Sequence, residues 1–86
     1  MKLVFDQVNA RVVTENDEQV FYTNDFDANS DYHCEDEVVQ NVVDMFNEGK
    51  GLMDIDEYLL DECKCTQDAR EVIVESLYTI YYPENK

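Results

Sequence analysis

Asp25, Asp27, Asn29, Asp31, His33 and Asp36 stand at positions 1, 3, 5, 7, 9 and 12 of a twelve-residue window. This is the alternation by which a loop turns successive oxygens toward a calcium ion. His33 and Cys34, taken with Cys63 and Cys65, supply four soft donors, the number a structural zinc ion needs. Asp54 with Asp56, and Asp61 with Glu62, are neighbouring carboxylates of the kind that share acid-base work. Each pattern has a plainer reading. His33 and Cys34 are adjacent, so their side chains point apart, and Cys63-Lys64-Cys65 lacks the gap of a ligand knuckle, which leaves the thiols as small core hydrophobes. Neighbouring carboxylates arise by chance in a chain with 21 acids. With one His, no Trp, no glycine-rich phosphate loop and no Gly-x-Ser-x-Gly, there is no nucleophile-base pair, and the chain reads as a non-enzyme that needs no cofactor or metal.

The calcium window resembles an EF-hand loop only in part. Ser30 stands where the sharp turn needs glycine, Tyr32 where an aliphatic residue is usual and Asp36 where a bidentate Glu closes the site, and a β-rich segment precedes it instead of a helix. An Asx-rich turn leading into a helix accounts for the same residues. Calcium binding by Asp25 to Asp36 is the alternative function.

Charge is the stronger signal. Twenty-one Asp and Glu against six Lys and Arg give a net charge of -15, spread along the chain among six Tyr, four Phe and a 44% hydrophobic composition. A disordered acidic tail would lack those apolar residues, so the expectation is a folded domain with a negative surface. Lys2, Arg11, Lys50, Lys64, Arg70 and Lys86 are scattered singly and make no basic patch. Nucleic acid and anionic lipid are therefore excluded as direct partners, and a basic protein is the complement. No apolar run is long enough to span a bilayer, and the first residues turn acidic too soon for a signal peptide, so a cytoplasmic protein is expected. Three cysteines, an odd number, do not make a disulfide framework.

The elements that must position these acids follow from periodicity. Leu3, Val4 and Phe5, then Val8, Ala10, Val12 and Val13, then Val20, Phe21 and Tyr22 are strand-forming groups, with turn chemistry at Thr14-Glu15-Asn16-Asp17-Glu18. The spacing predicts a hairpin of residues 8 to 14 with 19 to 23. The alternation slips at Asp6-Gln7, which implies either a bulge or a tight turn that makes residues 2 to 6 a strand of their own, and a bulged or broken strand is the favoured reading. After an Asx-rich loop, Val38, Val39, Val42, Val43 and Phe46 form one helical stripe ended by Gly49 and Gly51. Asp54 and Glu57 read as the capping box of a short second helix reaching about residue 63. A third helix runs from Thr66 or Gln67 to about Tyr81, with Ala69, Val72, Ile73, Ser76, Leu77 and Ile80 on its core face and Pro83 closing it. The fold class is α+β, an N-terminal antiparallel hairpin or small sheet followed by three helices, in a single domain over 1–86. Tyr78, Ile80, Tyr81 and Tyr82 exceed what one helix face can bury, which raises the possibility of a homodimer.

The helices organise the acids into rows: Asp36, Glu37, Asp44 and Glu48 on the first, Asp54, Glu57 and Asp61 on the second, Asp68, Glu71 and Glu75 on the third. With Gln40 and Asn47 completing the first row, repeats of three or four residues space its members, and the carboxylates of the other two rows, about 4.5 to 6 Å apart along a rigid axis. Fifteen net charges equal those of about seven or eight base pairs of duplex backbone. An ordinary solvated helix interleaves cations, and here they are scarce. In size, charge, aromatic content and strand-then-helix layout the chain resembles the small acidic proteins by which bacteriophages disable host DNA-binding proteins. The likeness is to a class and carries no motif. It implies a DNA mimic that competitively inhibits a basic host protein, such as a nucleoid protein, RNA polymerase, a nuclease or a glycosylase, in the host cytoplasm. The ten acids above are its partner-binding residues, with Tyr58, Tyr78, Tyr81 or Tyr82 as buried anchors. An acidic adaptor without mimicry is the remaining alternative.

Overall fold

Three short strands, β1 (Leu3–Asp6), β2 (Arg11–Thr14) and β3 (Gln19–Tyr22), precede three helices, α1 (Asp36–Asn47), α2 (Leu52–Leu60) and α3 (Gln67–Tyr81). The computed structural model describes residues 2–23, 33–61 and 64–82. The strands form one antiparallel sheet in the order β1-β2-β3, so the α+β architecture expected from the periodicities is the observed one.

At the first reversal the structure takes the tight turn and not the favoured bulge. The slip at Asp6-Gln7 is a change of direction, and β1 is a strand of its own, paired Leu3 with Thr14 through Asp6 with Arg11. The Asp6 carboxylate accepts from the backbone N–H of Asn9 at 3.4 Å and from its side-chain amide at 2.9 Å, and Ala10 takes the left-handed conformation at φ 53°. This Asx-type closure uses neither Gly nor Pro, so the usual marks of a turn are missing. Val8 lies in the turn, 93% exposed, and not in the hairpin strand. The irregularity expected near Asp6 occurs instead between Val12 and Val13, where the pairing with β3 shifts register. The second turn is as read: Thr14 Oγ1 accepts from the N–H groups of Asn16 and Glu18, both at 3.2 Å, with Asp17 at φ 68°.

Val12 of β2, Phe21 of β3 and Leu3 of β1 point to the helices. α1 packs against β1, α3 against β3, and α2 against both other helices. The four valines of α1 are fully covered, as are Ile55 and Leu59 of α2 and Ala69, Ile73 and Leu77 of α3. Each of these Val, Ile and Leu side chains contributes about 1.5 to 3 kcal/mol on leaving water. Val72, expected on the core face of α3, is 38% exposed. The reason is geometric: Ala69, Ile73 and Leu77 form a narrow stripe centred on Ile73, and Val72 lies about 100° off its middle.

The helix ends have distinct causes. Gly49, at φ +92°, lets its N–H reach the carbonyl of Phe46 at 3.1 Å while the Lys50 N–H reaches that of Met45 at 3.0 Å, a Schellman closure of α1. α2 starts earlier than expected. Its N-cap is Gly51, with no side-chain cap bond, and Asp54 sits inside the first turn, where the dipole favours a carboxylate. Leu52 and Met53 are good helix formers and let the helix begin ahead of the Asp54/Glu57 pair. Thr66 caps α3, its hydroxyl accepting from the N–H of Ala69 at 3.3 Å and that of His33 at 3.1 Å. Pro83, expected to end α3, lies outside the described residues.

Candidate acidic interface

A helix with its core stripe on one side presents the opposite side to water, and the sequence decides what stands there. On α1 the valines at 38, 39, 42 and 43 define the buried side, so Glu37, Asp44 and Glu48 fall nearly opposite, with Asp36 on the flank. On α2 Ile55 and Leu59 face inward, which places Asp54, Glu57 and Asp61 outward. On α3 Ala69, Ile73 and Leu77 face inward, and Asp68, Glu71 and Glu75 outward. All ten carboxylates are exposed.

Among the described residues three of the cations make ion pairs with Asp or Glu, and only one of these reaches a site acid. Arg11 pairs with Asp6 at 3.1 Å and Asp17 at 3.8 Å on the sheet side, and Arg70 pairs with Asp56 at 2.9 Å between α3 and α2. Lys64 reaches Glu37 at 3.1 Å. Among the described residues the other nine site acids make no ion pair. Two of them are held in place by neutral donors: Gln40 donates to Asp44 at 3.0 Å and Gln67 to Glu71 at 3.2 Å, each one helical turn away. No helix carries a basic residue in its last turn, and Glu48 and Asp61 are C-cap residues of α1 and α2. A carboxylate there opposes the helix dipole, at a cost of about 0.3 to 1 kcal/mol each. The chain thus keeps negative charge where local stability would favour positive.

The tyrosines divide into two pairs. Tyr58 accepts from the Asn41 side-chain amide at 2.9 Å, joining α2 to α1. Tyr81 packs edge-on to Phe46 with centroids 5.3 Å apart and donates to the Lys50 carbonyl at 2.6 Å. Burial, then the charges of Asp54 and Tyr82, raise its hydroxyl above the ordinary tyrosine range, so it is a neutral donor at pH 7. Tyr78 and Tyr82 instead stand on the outer face of α3, 56% and 57% exposed, with ring centroids 5.0 Å apart. Of the four anchors named from sequence, two hold the fold and two face solvent.

The other constellations are placed as follows. Asp25, Asp27, Asn29 and Asp31 of the calcium window lie outside the described residues, as do Glu62 and Cys63. Asp54 and Asp56 are separated by about 200° around α2, and Asp56 is held by Arg70, so they do not act as a pair. Cys34 and Cys65 face each other across an isolated antiparallel bridge and are both buried, while His33 is exposed with Nε2 at 2.8 Å from the Glu35 carboxylate. Among the described residues no group of three or more His, Cys, Asp and Glu side chains is arranged to hold a metal ion. None of the described helices is long and apolar enough to cross a membrane.

Sequence reasoning missed the pairing of Glu37 with Lys64, because Lys64 reaches it only through the Cys34 to Cys65 bridge that brings the start of α3 beside the start of α1. It also missed an open groove of about 480 Å³ between α3 and the β2–β3 hairpin, with Glu18 and Glu75 among its lining residues. No protein-family model, curated protein or solved structure matches this chain.

Proposed function

We propose that this protein is a DNA mimic that binds a basic DNA-binding protein of a host cell and competes with duplex for it. The observation that carries the reading is that nine of the ten exposed site carboxylates make no ion pair among the described residues, while Arg11 and Arg70 are engaged with other acids. Carboxylates fixed on helices offer guanidinium and ammonium groups what phosphates offer them, and they need not order themselves on binding. Each would replace one phosphate contact, and the summed field would steer the partner onto the helical face. A bacteriophage origin and a role in host takeover fit this reading. The possible homodimer is compatible with it provided the acidic faces stay outside the dimer contact.

The test begins with capture of partners from a bacterial lysate, followed by competition of the purified partner against labelled duplex at several salt concentrations. Displacement of the duplex is expected, with an affinity that falls steeply as salt rises. Neutralising Asp44, Asp61, Glu71 and Glu75 together to Asn and Gln is expected to flatten that dependence and abolish displacement. Binding indifferent to salt that leaves the duplex in place would support an acidic adaptor instead.

A further inference from the structure

We infer that, of the three acidic helix faces, the outward face of the α2–α3 hairpin is where the partner is recognised, and that the occupant is a basic protein segment presenting arginine beside an apolar side chain. This rests on the acidic-interface reading and adds to it a location and a chemistry.

The two helices run antiparallel and are fastened at two points, by Arg70 to Asp56 at the middle of α2 at 2.9 Å and by the Tyr81 hydroxyl to the Lys50 carbonyl just before α2 at 2.6 Å. Along α2, Met53, Glu57 and Leu60 follow one another at i, i+4 and i+7. Along α3 and its C-cap, Glu71, Glu75, Tyr78 and Tyr82 do so at i, i+4, i+7 and i+11. Residues so spaced share one helix face. Met53 is 74% exposed and Leu60 61%, so with Tyr78 and Tyr82 four large apolar side chains stand in water on one hairpin. The outer face of α1 differs in kind: its exposed positions are Asp36, Glu37, Gln40, Asn41, Asp44 and Asn47, all polar. Such a face attracts a cation but offers nothing to bury, and buried anchors are what give an interface its slow dissociation. The outer face of the sheet also exposes Val4 and Tyr22, but there Arg11 already satisfies Asp6 and Asp17.

Charge identifies the occupant. Asp54, Glu57, Asp61, Glu71 and Glu75 stand exposed on the same hairpin as the four apolar side chains and make no ion pair among the described residues. A second copy of this chain would set those carboxylates against their own kind, whereas a basic segment neutralises them. The paired rings of Tyr78 and Tyr82, with Glu75 one turn before Tyr78, suit a planar guanidinium that stacks on a ring while its N–H groups reach the carboxylate. Met53 adapts to an irregular apolar neighbour.

The experiment compares two synthetic peptides of equal charge, one built of arginine and leucine in an amphipathic pattern, the other of lysine and serine. Amide shifts of the full chain are followed by NMR during each titration. The arginine-leucine peptide is expected to bind about ten-fold more tightly, the scale of an interface anchor, and to shift residues of α2 and α3 more than those of α1. Tyr78→Ala with Tyr82→Ala, and separately Met53→Ser with Leu60→Ser, are expected to erase that preference without changing the salt dependence. Glu57→Gln, Glu71→Gln and Glu75→Gln together are expected to lower the salt dependence. Equal affinities for the two peptides, shifts centred on α1, or a dimer that the tyrosine variant dissociates would each overturn the proposal. Failure of the DNA-mimic reading has a separate signature: the peptide preference persists, but no duplex is displaced from a basic protein.

Discussion

Asp6 links local chemistry to acid stability. Its carboxylate accepts from the Asn9 side chain and from Arg11 at 3.1 Å, which together hold its pKa below the ordinary 3.8. A carboxylate whose folded pKa is depressed contributes its stabilisation in full above the unfolded value, and that contribution is lost as pH falls through the folded one. Asp6→Asn is therefore expected to lower the melting temperature at pH 6 and to narrow its gap to the unaltered chain as pH falls below about 4, the range in which an ordinary Asp protonates. Thermal melts by circular dichroism between pH 2 and 7 check this, and a gap that stays constant would assign the role to the turn geometry alone. The same residue shows why the first reversal was hard to read. Its partners Asn9 and Arg11 are ordinary polar residues, and only their convergence on one carboxylate makes a turn of Gln7 to Ala10.

At the scale of elements, β1 is an edge strand whose outward backbone groups need partners. The Asn47 side chain supplies them at Leu3: its Oδ1 accepts from the Leu3 N–H at 2.9 Å, and its Nδ2 donates to the Leu3 carbonyl at 3.0 Å. One side-chain amide thus continues the ladder and fixes the end of α1 against the sheet. Asn47→Ala is expected to lower stability by about 1 to 3 kcal/mol, two hydrogen bonds with one backbone pair left without protein partners. Urea unfolding checks this, an unchanged midpoint meaning that water replaces the amide at no cost. From spacing alone Asn47 reads as one more solvent-facing residue of the α1 row, because helical periodicity reports a direction and not what lies there. The valine stripe of α1 and the Thr66 start of α3 were legible, since both follow from contacts within a turn or two of chain. The start of α2 was not, because a glycine N-cap leaves no side-chain signature.

For the whole molecule, a net charge of -15 on 86 residues opposes compaction. Salt screens that repulsion over about 10 Å at 0.1 M. The melting temperature is accordingly expected to rise with sodium chloride, by about 4 to 8 °C for each kcal/mol of repulsion relieved in a domain of this size. Calorimetry from low to moderate salt tests it, and a melting temperature that falls would mean that the few ion pairs outweigh the excess acids. Stability and partner affinity should therefore respond to salt in opposite directions, so a loss of binding at high salt is not a loss of fold. The fifteen excess charges are plain in the composition, but the division of the four tyrosines was not. Tyr58 and Tyr81 are turned inward by Asn41, Phe46 and Lys50, none of which lies within ten residues of the tyrosine it meets.

The amino-acid sequence by itself determined the class of fold, the rows of acids along three helices and the sign of the surface charge. Those properties depend on residue type and on periods of two and 3.6, which neighbouring residues impose on one another. Only the tertiary structure decided that Lys64 reaches Glu37, that Asn47 closes the sheet, and that Tyr78 and Tyr82 remain in water beside Met53 and Leu60. These depend on which segments distant in the chain share space, and that is set by the packing of one small core.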